Sequence, residues 1–262
     1  MRDSRLIEPA NACEAWLREF DLRDLDAADP RSSWALKYGS RLRRALAGLA
    51  GLAPAATVLE VGCSQANASL LAAERGLRAV ALDRDGQALA YARRKHERGD
   101  FAVLCGQAEQ LPVADETCDA VLALEILEHL PDPPGALREM RRVLRPGGRL
   151  IVTTPNADFI HERLPTYAQR APGRAARPEA DAAAHLCAFT LAELQELIRG
   201  AGFAVRSAGY EGSVVMADRL RISRVLPPAA TLRLSRLLNR LPGGRFISYG
   251  CIVTAARPDA PD

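Results

Sequence analysis

The run Glu125-Ile126-Leu127-Glu128-His129, together with His185 in HLCAFT, gathers residue types that move protons or hold cations. If a helical turn starts at Glu125, positions 125, 128 and 129 fall on one face. Two carboxylates and two imidazoles then suit a divalent cation such as Mg, Mn or Zn. A neutral imidazole also suits proton abstraction near pH 7, so His129 and His185 are equally candidate general bases. The plain alternative is structural: His129 caps a helix or orients Glu125, and His185 bonds within its own loop. The metal-free reading of Glu125, Glu128, His129 and His185 is preferred, because E-x-x-E-H is a common pattern and His185 is distant in sequence.

A second set of polar residues stands at the ends of apolar runs. The stretch TVLEVGCSQANASLLAAERGLRAVALD passes from an apolar run into a turn at Gly62, then into a helical pattern, then into a second apolar run closing on Asp83. Further runs lead to Gly106-Gln107-Ala108-Glu109 and to Glu125. In open α/β sheets, ligands sit outside the carboxyl ends of the strands, where the strand order reverses. An acid about twenty residues beyond the first turn can take two ribose hydroxyls. The Gly-x-Gly-x-x-Gly dinucleotide fingerprint is absent, since only Gly62 remains of such a pattern.

The sequence elements carrying these residues alternate. Strands are expected at 57–61, 78–82, 101–105, 118–123 and 149–154, with helices at 67–75, 86–97 and 133–144. That alternation predicts a parallel sheet with helices on both faces. The turn PGG at 146–148 should end the third helix. Residues 1–56 read as an amphipathic helical cap, broken at Pro30 and Pro54. Residues 155–189 are rich in Ala, Pro and Arg without a clear period, which predicts a lid or acceptor-binding insertion. Thr190 and Glu193 fit a capping box opening another helix, and strands near 203–209 and 246–255 should close the sheet. The basic stretch 216–245 holds seven arginines and one acid, Asp218. In it Leu232, Leu234, Leu237, Leu238 and Leu241 can share much of one helical face. It reads as a surface helix or dimer contact, or as a site for an apolar or anionic acceptor or a membrane surface.

At 262 residues, with 48% apolar and 26% charged, the chain has the composition of one large globular domain. A net charge of +3 is too mild to argue for a nucleic-acid partner. Lys37 and Lys95 are the only lysines; with the abundant Ala and Arg this reads as the codon bias of a GC-rich bacterial genome. The six cysteines form no C-x-x-C pair. No run of 18 apolar residues and no signal-like segment is present, so a cytoplasmic home is expected.

In order, the motifs VLEVGCSQAN, AVALD, CGQAEQLP, DAVLALEILEHL and VLRPGGRLIVTTPN resemble those of class I S-adenosylmethionine-dependent methyltransferases. The likeness is dense over 57–155 and loose over 185–210. It implies one Rossmann-like domain, a three-layer α/β sandwich around a mostly parallel seven-stranded sheet. Within it, 1–56 is the cap, 57–155 the cofactor-binding core, 156–189 the lid and 190–262 the rest of the sheet, with a basic helical insertion at 211–245. Under this resemblance Glu60 lies near the methionine amino group, and Gly62, Cys63 and Ser64 line the methionyl moiety. Asp83 binds the ribose hydroxyls and Arg84 packs at the adenine. Gln107, Ala108 and Glu109 meet the adenine edge, and Glu125 sits on the sulfonium side. The sequence departs from the family's frequent Gly at Ser64 and Ala66, where Ala66 leaves less clearance, and from its frequent Asp at Gln107. The E-x-x-E-H turn with His185 resembles the metal-holding cluster of small-RNA 3′-terminal 2′-O-methyltransferases and of ubiquinone-pathway O-methyltransferases. The expected activity is O-methylation of a small molecule, glycan or lipid-linked precursor, with S-adenosylhomocysteine as product, by a monomer or homodimer. RNA ribose methylation and a non-catalytic, cofactor-binding partner subunit are the alternatives.

Overall fold

The computed structural model describes residues 7–19, 33–170, 185–213, 215 and 225–259. Seven strands form one sheet in the order β3-β2-β1-β4-β5-β7-β6. They are β1 (Thr57–Val61), β2 (Arg78–Asp83), β3 (Asp100–Cys105), β4 (Cys118–Leu124), β5 (Leu144–Pro155), β6 (Ala204–Glu211) and β7 (Gly250–Ala256). The first five pair in parallel, and β7 runs antiparallel to both β5 and β6. The expected Rossmann-like, mostly parallel seven-stranded sheet is therefore present. Strand order reverses between β1 and β4, which places a ligand crevice at their carboxyl ends.

Adjacent residues of β1 show how the sheet comes to be covered on both faces. Leu59 and Val61 join a cluster with Val121, Leu150 and Val253. This face is covered by α5 (Pro133–Val143) through Leu137 and Met140, and by α6 (Leu191–Gly200) through Leu194 and Ile198. Val58 points the other way, with Ala120, Leu122 and Ile151. There α2 (Ser33–Ala47) brings Leu42, Ala45 and Leu46, and α3 (Asn67–Ala73) brings Ala68 and Ala72. Period-two alternation in a strand buried on both sides gives this near-continuous apolar run. Farther out, α1 (Ala12–Glu19) packs on α4 (Gly86–Lys95) through Leu17, Ala88 and Tyr91.

The helices start where capping chemistry allows. The side chain of Asp85 accepts from the Gln87 amide, and that of Asp132 accepts from the Gly135 amide, ahead of Pro133 in the first helical turn. Thr190 and Glu193 form the expected reciprocal capping box.

Several boundaries differ from the sequence expectation. Strand β5 begins at Leu144, so the PGG turn lies inside its span and shifts its register against β4. Gly147, at φ +72°, and Gly148 exchange backbone hydrogen bonds with Arg257, which carry the ladder past the irregularity. The last strand starts only at Gly250, because Gly243 at φ +82° leads into a 3-10 turn at Gly244–Ile247. Helix α3 stops at Ala73 rather than 75.

Of the expected lid, residues 171–184 lie outside the described residues. Its two ends are joined to each other by bridges between Asn156 and Phe189 and between Thr166 and Ala188. Of the basic stretch, residues 216–224 lie outside the described residues, and α7 (Pro228–Leu238) forms its helical part.

Candidate active site

The turn between β1 and α3 is built from backbone donors. The amides of Gly62 and Cys63 both reach the carbonyl of Leu82, at 2.8 and 3.0 Å. Gly62 sits at φ +71°, and a Cβ there would lie 2.6 Å from Ile126 Cδ1. Both backbone angle and space therefore require glycine. The next positions are more costly: Ser64 (φ +47°) and Ala66 (φ +58°) occupy the left-handed region without being glycine, at about 1–2 kcal/mol each. Packing helps to hold Ala66, whose methyl is fully buried with Cys63, Ala81, Leu89 and Ala92. Ala66 is not among the residues that wall the cavity described below.

Asp83 ties this turn to the next. Its Oδ2 accepts the Ser64 amide at 2.7 Å and its Oδ1 accepts the Asp85 amide at 2.9 Å. Each oxygen keeps a lone pair, and the carboxylate is held at the rim by two loops. Beneath the turn, the fully buried Lys95 donates to Asn67 Oδ1 at 2.5 Å and to the Gln65 carbonyl at 3.3 Å.

A cavity of about 270 Å³ opens at the carboxyl ends of β1 and β4. Its walls are Tyr38, Arg41, Leu42, Glu60, Gly62, Cys63, Ser64, Gln65, Ala68, Leu124 and Glu125. Five of the expected cofactor residues, Glu60, Gly62, Cys63, Ser64 and Glu125, are thus brought together. Asp83 joins them through its bond to Ser64. Arg84, Gln107, Ala108 and Glu109 lie beyond the walls, around the ends of β2 and β3, whose tips are tied by the Gly106 amide bonding the Asp83 carbonyl.

Glu60 is buried, and its Oε2 accepts from both the Ser69 amide (2.8 Å) and the Ser69 hydroxyl (2.6 Å). Burial outweighs these bonds and pushes its pKa up to about 7. Cys63 is also buried; desolvation and the charges of Glu60 and Asp83 raise its thiol well above the ordinary range. That suits a packing residue rather than a nucleophile, and all six cysteines are free thiols.

Three wall residues come from α2, and the sequence alone does not single them out. Tyr38, Arg41 and Leu42 stand at i, i+3 and i+4, one helical face. That spacing was available, but which face meets the sheet was not. The Tyr38 hydroxyl accepts from Asn67 Nδ2 at 3.1 Å, and Arg41 Nη2 lies 3.1 Å from Glu125 Oε2.

Glu125 departs from the expected helical turn. It sits at φ +56°, and the 3-10 turn begins only at Leu127. This left-handed step aims Glu125 at α2 instead of along the E-x-x-E-H face. Its amide bonds the Thr153 carbonyl at 2.9 Å, and its Oε1 has no partner among the described residues. The expected cluster of four is accordingly three: ligand atoms of Glu128, His129 and His185 lie within 4.8 Å of one another. The Leu186 amide bonds the Glu128 carbonyl at 2.8 Å, which brings the His129 and His185 rings to 4.6 Å, edge to face. Glu128 is fully buried, with neither carboxyl oxygen partnered among the described residues. Burial first, and the charge of Glu125 second, raise its pKa well above the carboxyl range.

A sheet ordered β3-β2-β1-β4-β5-β7-β6 with one antiparallel strand, a tight turn after β1 and an acid after β2 define a Rossmann-like, class I methyltransferase fold. The sequence agrees: residues 59–152 match the family model described as a methyltransferase domain, and the chain carries that domain. A ubiquinone biosynthesis O-methyltransferase of Pseudomonas paraeruginosa is 34% identical over 145 residues, 54% of this chain and 57% of that protein. A demethylmenaquinone methyltransferase of Renibacterium salmoninarum is 37% identical over 127 residues, 48% of this chain and 50% of that protein. The chain thus spans little more than half the length of these curated relatives. Among solved structures, an S-adenosylmethionine-dependent methyltransferase of Mesorhizobium loti superposes with a TM-score of 0.57 at 18% identity, covering 84% of this chain and 99% of that one. Among the described residues no helix is long and apolar enough to cross a membrane.

Proposed function

We propose that the protein transfers a methyl group from S-adenosylmethionine to an oxygen of a small-molecule, glycan or lipid-linked acceptor. The observation that carries this reading is the cavity walled by Glu60, Ser64, Arg41 and Glu125, with the imidazole pair His129–His185 starting four residues past the wall residue Glu125. When bound, S-adenosylmethionine supplies a methyl carbon on a positively charged sulfur, which leaves as a neutral thioether. The residues supply position and a proton acceptor. Asp83, fixed by two amides, receives ribose hydroxyls. Glu60 Oε1, left over from the Ser69 bonds, receives an ammonium. Arg41, once drawn from Glu125, receives a carboxylate. Arg84, Gln107, Ala108 and Glu109 border the adenine. His129 or His185 takes the acceptor hydroxyl proton as its oxygen forms the new bond to carbon.

The reading is tested by calorimetric titration with S-adenosylhomocysteine. Asp83→Ala removes a charge-assisted contact and should weaken binding by about 1.5–3 kcal/mol. Equal affinities would remove Asp83 from the site, and no binding by the native chain would end the methyltransferase reading.

One observation favours a second form of the same chemistry. A buried carboxyl with both oxygens unpartnered among the described residues, its ligand atom within 4.8 Å of those of two imidazoles, is a donor set that fits a divalent cation. Glu128, His129 and His185 would hold it, and it would lower the pKa of the acceptor oxygen. Glu128 would first have to release the proton that its surroundings favour. Loss of activity in chelator, restored by Mg, Mn or Zn, supports this form; full activity in chelator with no metal by elemental analysis leaves the imidazoles as bases.

A further inference from the structure

Helix α7 buries one face against α2. Leu232, Leu234 and Leu238 pack with Leu36 and Tyr249, while Thr231 and Ser235 are enclosed. The remaining leucines are left outside: Leu237 is 58% exposed and Leu241, one turn on, 50%. Phe246 follows at 45%, and Ile160, whose amide bonds the Phe246 carbonyl at 3.0 Å, is 68% exposed. These are four of the five large apolar side chains exposed among the described residues. Single exposed apolar residues scattered over a surface are ordinary; four on one stretch and its hydrogen-bonded neighbour are not scatter.

Along α7 and the turn after it, the charges have one sign. Arg233, Arg236, Arg240 and Arg245 are exposed, and no acid occurs between 225 and 250. Among the described residues none of the four is in an ion pair, and Arg245 lies 4.5 Å from the Phe246 ring. On the Ile160 side, Arg163 is exposed. The nearby acids are Asp158 and Glu162, both half-buried, and Glu162 Oε1 turns back to the amides of Arg163 and Leu164.

A chain of contacts links this surface to the candidate site. The Ile160 neighbour Phe159 meets Tyr249 at 4.7 Å, and Lys37 Nζ lies 3.8 Å from the centre of the Tyr249 ring. Lys37 is one turn of α2 from Arg41, which pairs with Glu125 in the cavity wall.

We infer that this surface docks on a bilayer bearing anionic headgroups, so that the acceptor is drawn from the membrane with its apolar part left in the lipid. Exposed aliphatic and aromatic tips enter the acyl boundary while the arginines meet the headgroup charge. A second copy of the chain would set arginines against arginines, and a neutral partner would leave all four uncompensated. The inference rests on the methyl-transfer reading for what is drawn from the membrane, but the docking itself requires neither cofactor nor acceptor.

The test is co-sedimentation of the full chain with phosphatidylcholine vesicles, with and without phosphatidylglycerol. Binding should require phosphatidylglycerol and weaken as salt is raised. Each of Arg236→Gln and Arg240→Gln should weaken it about fivefold, and Leu241→Ser with Phe246→Ser should abolish it. S-adenosylhomocysteine titration and thermal melts of every variant report on folding. If the apolar pair melts early, the two arginine variants and the salt dependence decide. Absence of binding, equal binding to both vesicles, or arginine variants that bind as the native chain does would overturn the inference. So would a native dimer that Leu241→Ser converts to monomer, since the surface would then be a self-interface. Vesicle binding without S-adenosylhomocysteine binding would fail the methyl-transfer reading alone; the reverse would fail the docking alone.

Discussion

Glu60→Gln should uncouple two properties that the native carboxyl links. The carboxyl stands at about 7 in place of its ordinary 4.5, because burial outweighs the two bonds from Ser69. Between those values the folded chain holds a proton that the unfolded chain has released. Stability from this group is therefore complete below 4.5 and is lost as pH rises through 7. At ~1.4 kcal/mol per tenfold shift, the loss is about 3 kcal/mol. Glutamine can present one oxygen to the Ser69 amide and hydroxyl and has no proton to lose. Urea unfolding of both proteins across pH 4–9 should give equal stability at the acid end and a glutamine variant about 3 kcal/mol more stable at the alkaline end. Subtracting the two curves cancels the other titrating groups, to the extent that they act independently. Binding should move the opposite way. The ammonium of S-adenosylhomocysteine favours the ionised carboxylate, so native affinity should fall about tenfold per pH unit below 7 as protonation competes. Glutamine should flatten that dependence and bind roughly 10–100-fold more weakly above pH 7, having lost a charge-assisted contact. Parallel stability curves would refute the raised pKa, and identical pH profiles of affinity would refute the placement of the ammonium.

Gly62→Ala should cost about 1–2 kcal/mol for the left-handed backbone and about 1–3 more for the methyl driven into Ile126, read as a lower urea midpoint. Adding Ile126→Ala should relieve only the crowding, and full rescue would mean that the backbone was never strained. Arg41→Ala should weaken S-adenosylhomocysteine roughly 10–100-fold while leaving adenosine affinity unchanged, because in the proposed placement only the amino-acid end meets α2; an equal loss for both ligands would contradict that placement. If an imidazole is the base, His129→Ala or His185→Ala should lower kcat and remove the limb of the pH–rate profile near neutrality, with no response to chelator; an unchanged profile in both variants excludes each as base.

The β1–β2 part of the candidate site was legible in sequence because its parts are local. An apolar strand, one obligatory glycine and an acid closing the next strand are all contained in 57–83, and hydrogen bonds across those turns then fix Asp83 beside Ser64. What sequence could not supply depended on long-range packing or on one dihedral. Tyr38 and Arg41 reach the cavity only because α2 lies over the face of the sheet carrying Val58 and Ile151. Nothing within residues 33–47 states which helical face will meet that layer. Glu125 left the expected four-residue cluster because a single left-handed residue, at φ +56°, turns it from the E-x-x-E-H face toward Arg41. Helical periodicity assumes right-handed residues throughout, so it fails where a strand end is forced into a turn. With Glu125 facing α2, neither oxygen of the buried Glu128 carboxyl has a partner among the described residues, and a carboxyl without partners is retained at a cost of burial. The strain at Glu125 and the unpartnered Glu128 meet where β4 ends, between the cavity and the imidazole pair. Under the proposed reading that is where a methyl group and an acceptor oxygen meet, which would tie the least predictable part of the backbone to the chemistry.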